Sequence, residues 1–249
     1  MPTQFLRRLT GRERTVAANR QLGAVLAFVA GGINAGGFLA VHRYTSHVTG
    51  VVSAVADHLV LGQLQLALAG LTLLATFMLG ATATALLANW ARRRRMHSEY
   101  ALSLMLEAVL LLVFGLLGSR VDATGDGLMP ATVLLLSFVM GLQNAVVTKL
   151  SRAEIRTTHM TGIVTDLGIE LGRALYWNRT RAYTERQPVR ANRERLALHT
   201  LILSMFLSGG CVGALAFNSM GFGAAVPFAV LLCVMAALPV LDDLRARRV

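Results

Sequence analysis

Residues 45–53 read Thr-Ser-His-Val-Thr-Gly-Val-Val-Ser, and residues 157–165 read Thr-Thr-His-Met-Thr-Gly-Ile-Val-Thr. The offset between these two segments is 112 residues (157 − 45). A second related pair precedes them at nearly the same offset: Gly-Gly-Ile-Asn-Ala at 31–35 and Gly-Leu-Gln-Asn-Ala at 141–145. The 249-residue chain therefore contains two related halves.

Long apolar stretches fill most of both halves. Six of them are long enough to cross the roughly 30 Å hydrocarbon core of a bilayer as helices that rise about 1.5 Å per residue. They are residues 21–41, 64–88, 100–118, 130–150, 196–217 and 222–241. Two further segments, 47–62 and 159–175, are shorter and carry charged side chains. The pattern predicts an all-α membrane protein with about six transmembrane helices and two short re-entrant half helices.

The positions of lysine and arginine favour re-entrant over fully spanning short segments. If both short segments enter and leave on one side, and the N-terminus is cytoplasmic, 22 of the 24 basic residues lie inside. If both segments cross the membrane, only 16 of them do. Because basic residues accumulate in cytoplasmic loops, the first arrangement is predicted. Both termini then lie in the cytoplasm, with the protein in a bacterial inner (plasma) membrane.

Each half holds three full spans and one short segment in the same order. An odd number of spans turns the second half upside down, which predicts an inverted-topology repeat of the kind found in transporters. The predicted units are a basic cytoplasmic segment, the first repeat, an outside loop, the second repeat and a cytoplasmic tail. They cover residues 1–20, 21–118, 119–129, 130–241 and 242–249, and the second repeat includes a basic cytoplasmic loop at 176–195.

Composition excludes several classes of function. Only 15% of the residues are charged, against about a quarter in soluble domains. The net charge of +11 comes largely from basic residues that flank apolar stretches, so no nucleic-acid partner is expected. Cys211 and Cys233 lie within apolar stretches, where packing is their expected role. The sequence contains no catalytic or metal-binding motif, so neither an enzyme nor a cofactor nor a metal site is predicted.

Two neighbouring motifs carry a family resemblance. Met-Gly-Leu-Gln-Asn-Ala at 140–145, followed by Arg-Thr-Thr-His-Met-Thr-Gly at 156–162, resembles the YoaK family of uncharacterised bacterial integral membrane proteins. The resemblance extends over about residues 21–241. The first half departs from it at Val51, where the family commonly has asparagine. The resemblance implies a multi-span inner-membrane protein and no particular chemistry, because the family has no assigned biochemical function.

The paired threonine- and histidine-containing elements form the predicted substrate site. As re-entrant elements, each would place the N-terminus of a half helix near mid-membrane, where unpaired N–H groups and the helix dipole favour anionic or polar groups. Only the two histidines there can change charge near neutral pH. Ser46 or Thr49 is expected to cap the first half helix. The candidate residues are His47, Thr49, Gly50, His159, Thr161 and Gly162.

Polar side chains within the apolar spans are further candidates. Asn34 and Asn144 lie near the dipping loops, where they would either support those loops or line the pathway. Glu107 and Asp166 are pathway candidates because intramembrane acids are unfavourable unless they have a function or a partner.

Structural roles compete with these functional ones. Glu170 is expected to pair with Arg173, three residues later on a helix. Several glycines are expected to permit close helix approach: Gly50, Gly162, Gly32 with Gly36, and Gly209 with Gly213.

The predicted function is that of a transporter or channel for a small solute or ion. Two alternatives remain open. A non-transporting assembly or regulatory subunit would use the basic loop at 176–195 as a partner surface, and an intramembrane enzyme would act on a lipid-soluble substrate. The expected partners are the lipid bilayer, with anionic lipid at the basic cytoplasmic loops, an unidentified small solute and a second copy of the chain.

Overall fold

The computed structural model describes residues 15–41, 45–96, 98–124, 129–150, 160–176 and 189–246. Within these ranges the chain is helical and contains no β-strand, which confirms the predicted all-α class. The helices are α1 (Val16–Val41), α2 (Val48–Val60), α3 (Leu64–Arg93), α4 (Ala101–Thr124), α5 (Met129–Leu150), α6 (Met160–Leu175), α7 (Arg193–Met220), a 3-10 turn (Gly221–Ala224) and α8 (Ala225–Ala246).

Within the described ranges, five stretches are long and apolar enough to cross a membrane: Ala17–Leu39, Leu64–Arg93, Ala101–Arg120, Ala131–Lys149 and Arg193–Arg245. The last of these contains both α7 and α8, which are joined by the 3-10 turn at Gly221. Gly221 has a φ of 57°, a conformation that glycine adopts without strain. The lengths and compositions are those of a multi-pass helical membrane protein.

Several helices extend beyond the apolar stretches that predicted them; α1 begins five residues before the predicted start, at Val16, and α8 ends five residues after the predicted end, at Ala246. α3 continues from the predicted end at Ala88 to Arg93, and α4 continues from Gly118 to Thr124. Hydropathy marks only the apolar part of a helix, whereas the backbone hydrogen bonds continue the same helix into the polar region.

Glycines bring α1 and α7 into backbone contact. A methyl group added at Gly31 would overlap the carbonyl oxygen of Phe206, and one added at Gly209 would overlap that of Phe28. Nearby, Gly213 lies against the backbone of Gly32. The predicted packing role of the pairs Gly32 with Gly36 and Gly209 with Gly213 is therefore confirmed.

The same contact recurs between α3 and α5. A methyl group added at Gly141 would overlap the carbonyl oxygen of Phe77, and one added at Gly80 would overlap that of Phe138. Close to this crossing, the Thr84 hydroxyl donates a hydrogen bond of 3.0 Å to the carbonyl of Leu142 on α5. The two long-helix pairs are thus joined by equivalent contacts.

A third pair, α4 and α8, packs antiparallel. The ring of Phe114 lies 5.4 Å from that of Phe222 at one end of the pair. At the other end, the backbone N–H of Ser98 donates to a carboxylate oxygen of Asp243 over 2.8 Å. Cys233 lies 3.9 Å from the sulfur of Met105 between these ends, which agrees with a packing role for that cysteine.

Glu170 fixes the short helix α6 to the start of α7. One carboxylate oxygen accepts from Arg173 at 2.8 Å, which confirms the predicted pair, and the other accepts from the backbone N–H of Asn192 at 2.7 Å. Asn192 in turn is the N-cap of α7, and its side chain accepts from the N–H groups of Glu194 and Arg195. Glu170 is therefore a structural residue. The sequence predicted its bond to Arg173 but not its bond to the backbone of Asn192.

Candidate functional site

The segment after α1 turns back alongside that helix. The hydroxyl of Ser46 donates a hydrogen bond of 2.5 Å to the amide oxygen of Asn34. Asn34 lies seven residues before the end of α1 at Val41, which corresponds to about 10 Å along a helix axis. The chain therefore returns by that distance before α2 begins at Val48.

α2 then runs back beside the first half of α3. The two helices are joined by a tight turn in which Gly62 has a φ of 71°. Packing brings the side chain of Val55 on α2 against Gly70 on α3. With 13 residues, α2 is about 20 Å long, so its N-terminus lies beside the middle of α3.

A cavity of about 310 Å³ opens at this N-terminus. Its apolar wall comes from α1, α2 and α3, and its polar groups come mainly from the segment that precedes α2 and from α5. The lining residues include Phe38, Leu73, Leu74, Phe77, Thr45, His47 and Ser137. This volume is at the lower end of the range found for small-molecule sites.

Thr45 is the most unusual polar residue of the lining. Its side chain is 7% exposed, and its hydroxyl oxygen has no hydrogen-bond partner in the part of the chain that the structure describes. The other lining hydroxyl, that of Ser137, donates to the carbonyl of Leu73 at 3.1 Å. Because buried hydroxyl groups are normally paired, the unpaired hydroxyl of Thr45 is an unusual feature of the cavity lining.

His47 is the N-cap residue of α2 and lies exposed at the cavity. Its carbonyl accepts from the N–H of Val51 at 3.1 Å, and no side chain caps the helix. The expectation that Ser46 or Thr49 caps α2 is therefore wrong, since Ser46 is bonded to Asn34 instead. Among the described residues, the N–H groups of Thr49 and Gly50 in the first turn have no hydrogen-bond partner.

Gly50 leaves room for the ring of His47. A methyl group added at Gly50 would lie 2.5 Å from Nδ1 of that ring, well inside van der Waals contact. At Gly162, the equivalent position of the second half, no described atom lies within 4 Å of an added methyl group. The prediction that Gly50 permits close helix approach is wrong, and at Gly162 no described helix lies within contact distance. Gly50 makes space within its own segment.

The structure brings only part of the predicted site together. His47 and Gly50 line the cavity, and Asn34 holds the segment that carries them. Thr49 is exposed on α2 and does not line the cavity. In the second half, Thr161, Gly162 and Asp166 are exposed on α6, Asn144 is buried on α5, and His159 lies outside the described residues.

Glu107 is buried on α4, a helix that contributes no residue to the cavity. The Glu107 side chain is 1% exposed, and its Oε2 has no hydrogen-bond partner within the described ranges. One helical turn earlier, the hydroxyl of Ser103 is also buried without a partner there. These two residues form a separate polar position in the apolar core.

Several lining residues were not singled out from the sequence. Thr45 had a usable signal, because it opens the repeated motif and matches Thr157 in the second copy. Ser137, Phe38 and Phe77 had none, since a hydroxyl or an aromatic ring within an apolar span is ordinary. Their role depends on which helices meet at the cavity.

No metal centre accompanies the cavity in the described part of the chain. Across those residues, no group of three or more His, Cys, Asp or Glu side chains is arranged so that it could hold a metal ion.

Comparison with known proteins places the chain in one family. A family model described as a protein of unknown function, DUF1275, matches residues 22–238. No curated protein and no solved structure matches the chain. Because the match covers most of the sequence, including both copies of the repeated motif, the chain belongs to the DUF1275 family of proteins of unknown function.

Proposed function

We propose that this protein is a transporter or channel that moves a small solute or ion through the cavity at the start of α2. The observation that carries the proposal is a small cavity at the N-terminus of a half-length helix, with a buried threonine hydroxyl that lacks a partner among the described residues. Discontinuous helices with their positive ends near mid-membrane are typical solute sites of secondary transporters.

A re-entrant α2 is supported by the depth of the cavity residues. Phe38 lies three residues from the end of α1, and Leu73 lies nine residues from the start of α3. Both line one cavity, which favours an arrangement in which the end of α1 and the start of α3 lie on the same side of the bundle. A fully crossing α2 would separate these ends by about 30 Å of hydrocarbon. We therefore propose that α2 enters and leaves on one face.

An inverted repeat is supported by reciprocal contacts. When the two halves are exchanged, the contact between Gly31 and Phe206 corresponds to the contact between Gly141 and Phe77. In the same way, the contact between Gly209 and Phe28 corresponds to the contact between Gly80 and Phe138. The equivalent helices α4 and α8 pack antiparallel. A two-fold axis in the membrane plane relates antiparallel helices, whereas an axis along the membrane normal would relate parallel ones.

Six spans follow if α7 and α8 cross separately. The stretch Arg193–Arg245 has 53 residues, about 80 Å of helix, which is far more than one crossing needs. The exposed arginines at 92–95 then lie at the inner end of α3. We accordingly propose a bacterial inner-membrane location with both termini cytoplasmic. The resemblance to the YoaK family, whose members belong to DUF1275, supports the same location.

A non-transporting assembly subunit is a second candidate, favoured by the surface of α6. Val164, Ile169 and Leu171 are about half exposed on this helix. Lipid or a partner protein would cover such a face. We propose the bilayer, anionic lipid at the basic loops, and a second copy of the chain as partners, and we propose no catalytic activity, cofactor or nucleic-acid partner.

A solute-uptake screen in proteoliposomes tests the transport proposal. We expect uptake of at least one small solute by the unaltered protein and its loss in His47→Ala. His58→Ala is the matched control, because His58 lies on the same short helix and its ring bonds Gln63 at 2.7 Å, away from the cavity. A folded protein that moves no solute would contradict transport and favour the subunit. Equal uptake by both variants would place the pathway elsewhere.

A further inference from the structure

The cavity at the start of α2 has a few polar groups at one end and no negative charge in its described lining. None of its lining residues is acidic, and His47 is the one titratable side chain among them. Asp57, also on α2, lies ten residues after His47, about 15 Å away along the helix axis. Glu107 lies on α4, which contributes no lining residue. A cation would therefore find no counter-charge in the described lining.

The free donors converge at one end of the cavity. Thr45 has a buried hydroxyl without a partner in the described ranges, and the imidazole of His47 lies next to the first turn of α2. The N–H group of Gly50, a lining residue in that turn, has no partner among the described residues either. An N-terminal helix turn with free N–H groups and a positive dipole end favours an anionic group. The unpaired Thr45 hydroxyl is an independent sign of a ligand there.

The opposite wall is apolar. Leu73, Leu74 and Phe77 from α3 and Phe38 from α1 form it, and the hydroxyl of Ser137 is already bonded to the carbonyl of Leu73. This wall has no free donor to hold a second charged group. The ligand should therefore be anionic at one end and apolar at the other.

We propose that the cavity binds a small monocarboxylate. Its carboxylate oxygens accept hydrogen bonds from Thr45, His47 and the first turn of α2, and its short apolar chain packs against Leu73 and Phe77. This assignment rests on the proposed function, since it names the substrate class of the same cavity. The cavity volume of about 310 Å³, at the lower end of the range for small-molecule sites, favours a small ligand over a long-chain one.

Isosteric probes test the charge requirement. Butyrate, butylammonium and butanol are titrated against the full-length protein in nanodiscs of zwitterionic lipid, with thermal stability and calorimetry as the readouts. We expect only butyrate to raise the melting temperature, because ligands that bind the folded state alone stabilise it. Stabilisation by butylammonium, or equal stabilisation by butanol, would overturn the proposal.

Two substitutions test the donors against matched controls. Thr45→Val and His47→Ala should each weaken butyrate binding roughly tenfold or more, as expected for loss of one hydrogen bond to a charged group. Thr76→Val and His58→Ala should not, because Thr76 bonds the carbonyl of Thr72 within α3 and His58 bonds Gln63. Thr45→Val should keep the fold, since it removes a hydroxyl without a partner among the described residues. Unchanged butyrate binding in a folded Thr45→Val protein would refute the assignment.

Further experiments distinguish a free ligand from a membrane lipid, and they distinguish the ligand proposal from the transport proposal. Palmitate in place of butyrate tests whether the carboxylate comes from a membrane lipid; tighter binding of palmitate would overturn the short-chain assignment. Butyrate binding without uptake of labelled butyrate in proteoliposomes would refute transport and support the ligand class. Uptake of another solute with no butyrate binding would support transport and refute the ligand class.

Discussion

The hydroxyl of Ser46 donates to the amide oxygen of Asn34 over 2.5 Å, and this bond determines where α2 begins. Asn34 belongs to the first copy of one repeated segment, and Ser46 belongs to the first copy of the other. In the first half the bond thus links the two repeated segments: one supplies a fixed point on a long helix, and the other supplies the chain that is bonded to it. A polar bond of this kind is favourable in an apolar bundle because neither group has water as an alternative.

Asn34→Leu should release this segment. We expect a loss of about 1 kcal/mol in stability, because the variant removes one interhelical hydrogen bond. A cysteine at His47 should at the same time react faster with a membrane-impermeant maleimide. Ser46→Ala should give the same result, and the double variant should be no worse than either single one. Additive effects would show that the two residues act separately.

The crossing glycines should tolerate no side chain. Gly141→Ala and Gly31→Ala would each place a methyl group on a carbonyl oxygen of the facing helix, so both should destabilise the protein by about 3 kcal/mol. Gly172→Ala on α6 is the control, because no described atom lies within 4 Å of an added methyl group. It should be neutral or stabilising by up to about 1 kcal/mol, as alanine favours helix. Melting temperatures in nanodiscs provide the comparison, and a harmless Gly141→Ala would contradict the close crossing.

Gly50→Ala should alter the cavity without unfolding the protein. The added methyl group would displace the ring of His47, so solute uptake should fall to the level of His47→Ala. The methyl group of Gly162→Ala would contact no described atom. This variant should therefore retain normal solute uptake if the first-half cavity is the pathway. The readout is uptake in proteoliposomes beside the melting temperature. Full uptake by Gly50→Ala would mean that the position of the His47 ring is unimportant.

Glu107→Gln should separate function from stability. The carboxylate has an oxygen without a described partner in the core, so the amide should leave stability unchanged or raise it by up to about 2 kcal/mol. If Glu107 belongs to the pathway, uptake should nevertheless decrease. Glu170→Gln is the contrasting variant, because its carboxylate binds Arg173 and Asn192, and it should lose about 1–3 kcal/mol. Unaltered uptake by Glu107→Gln would remove this residue from the pathway.

Membrane topology provides a direct test of the re-entrant half helix. After both native cysteines are replaced, a cysteine at Leu61, in the exposed turn between α2 and α3, should react with an impermeant maleimide from the outside of intact cells. A cysteine at the exposed Arg94 should react only after the membrane is permeabilised. Ser98, which follows α3 on the same side, is a poor labelling position, because it is buried and its backbone N–H donates to Asp243. Outside labelling at position 94 would require α2 to cross the membrane fully.

Sequence alone determined the helical class and most helix bounds, because hydrophobic length and charge position are local properties of the chain. α2 and α6 begin at Val48 and Met160, again 112 residues apart, which matches the repeat offset. The pair of Glu170 and Arg173 was also predictable, since its members lie three residues apart on one helix.

The cavity depended on tertiary structure. Thr45, Ser137 and Phe77 come from three separate parts of the chain. Only Thr45 carried a sequence signal, its place in the repeated motif, whereas Ser137 and Phe77 look like ordinary packing residues in the sequence. The same reason explains the error at Ser46. Capping is judged from neighbours in sequence, whereas Ser46 found its partner on α1. Which polar groups remain unpaired depends on how helices distant in sequence come together, and that is a property of the folded chain.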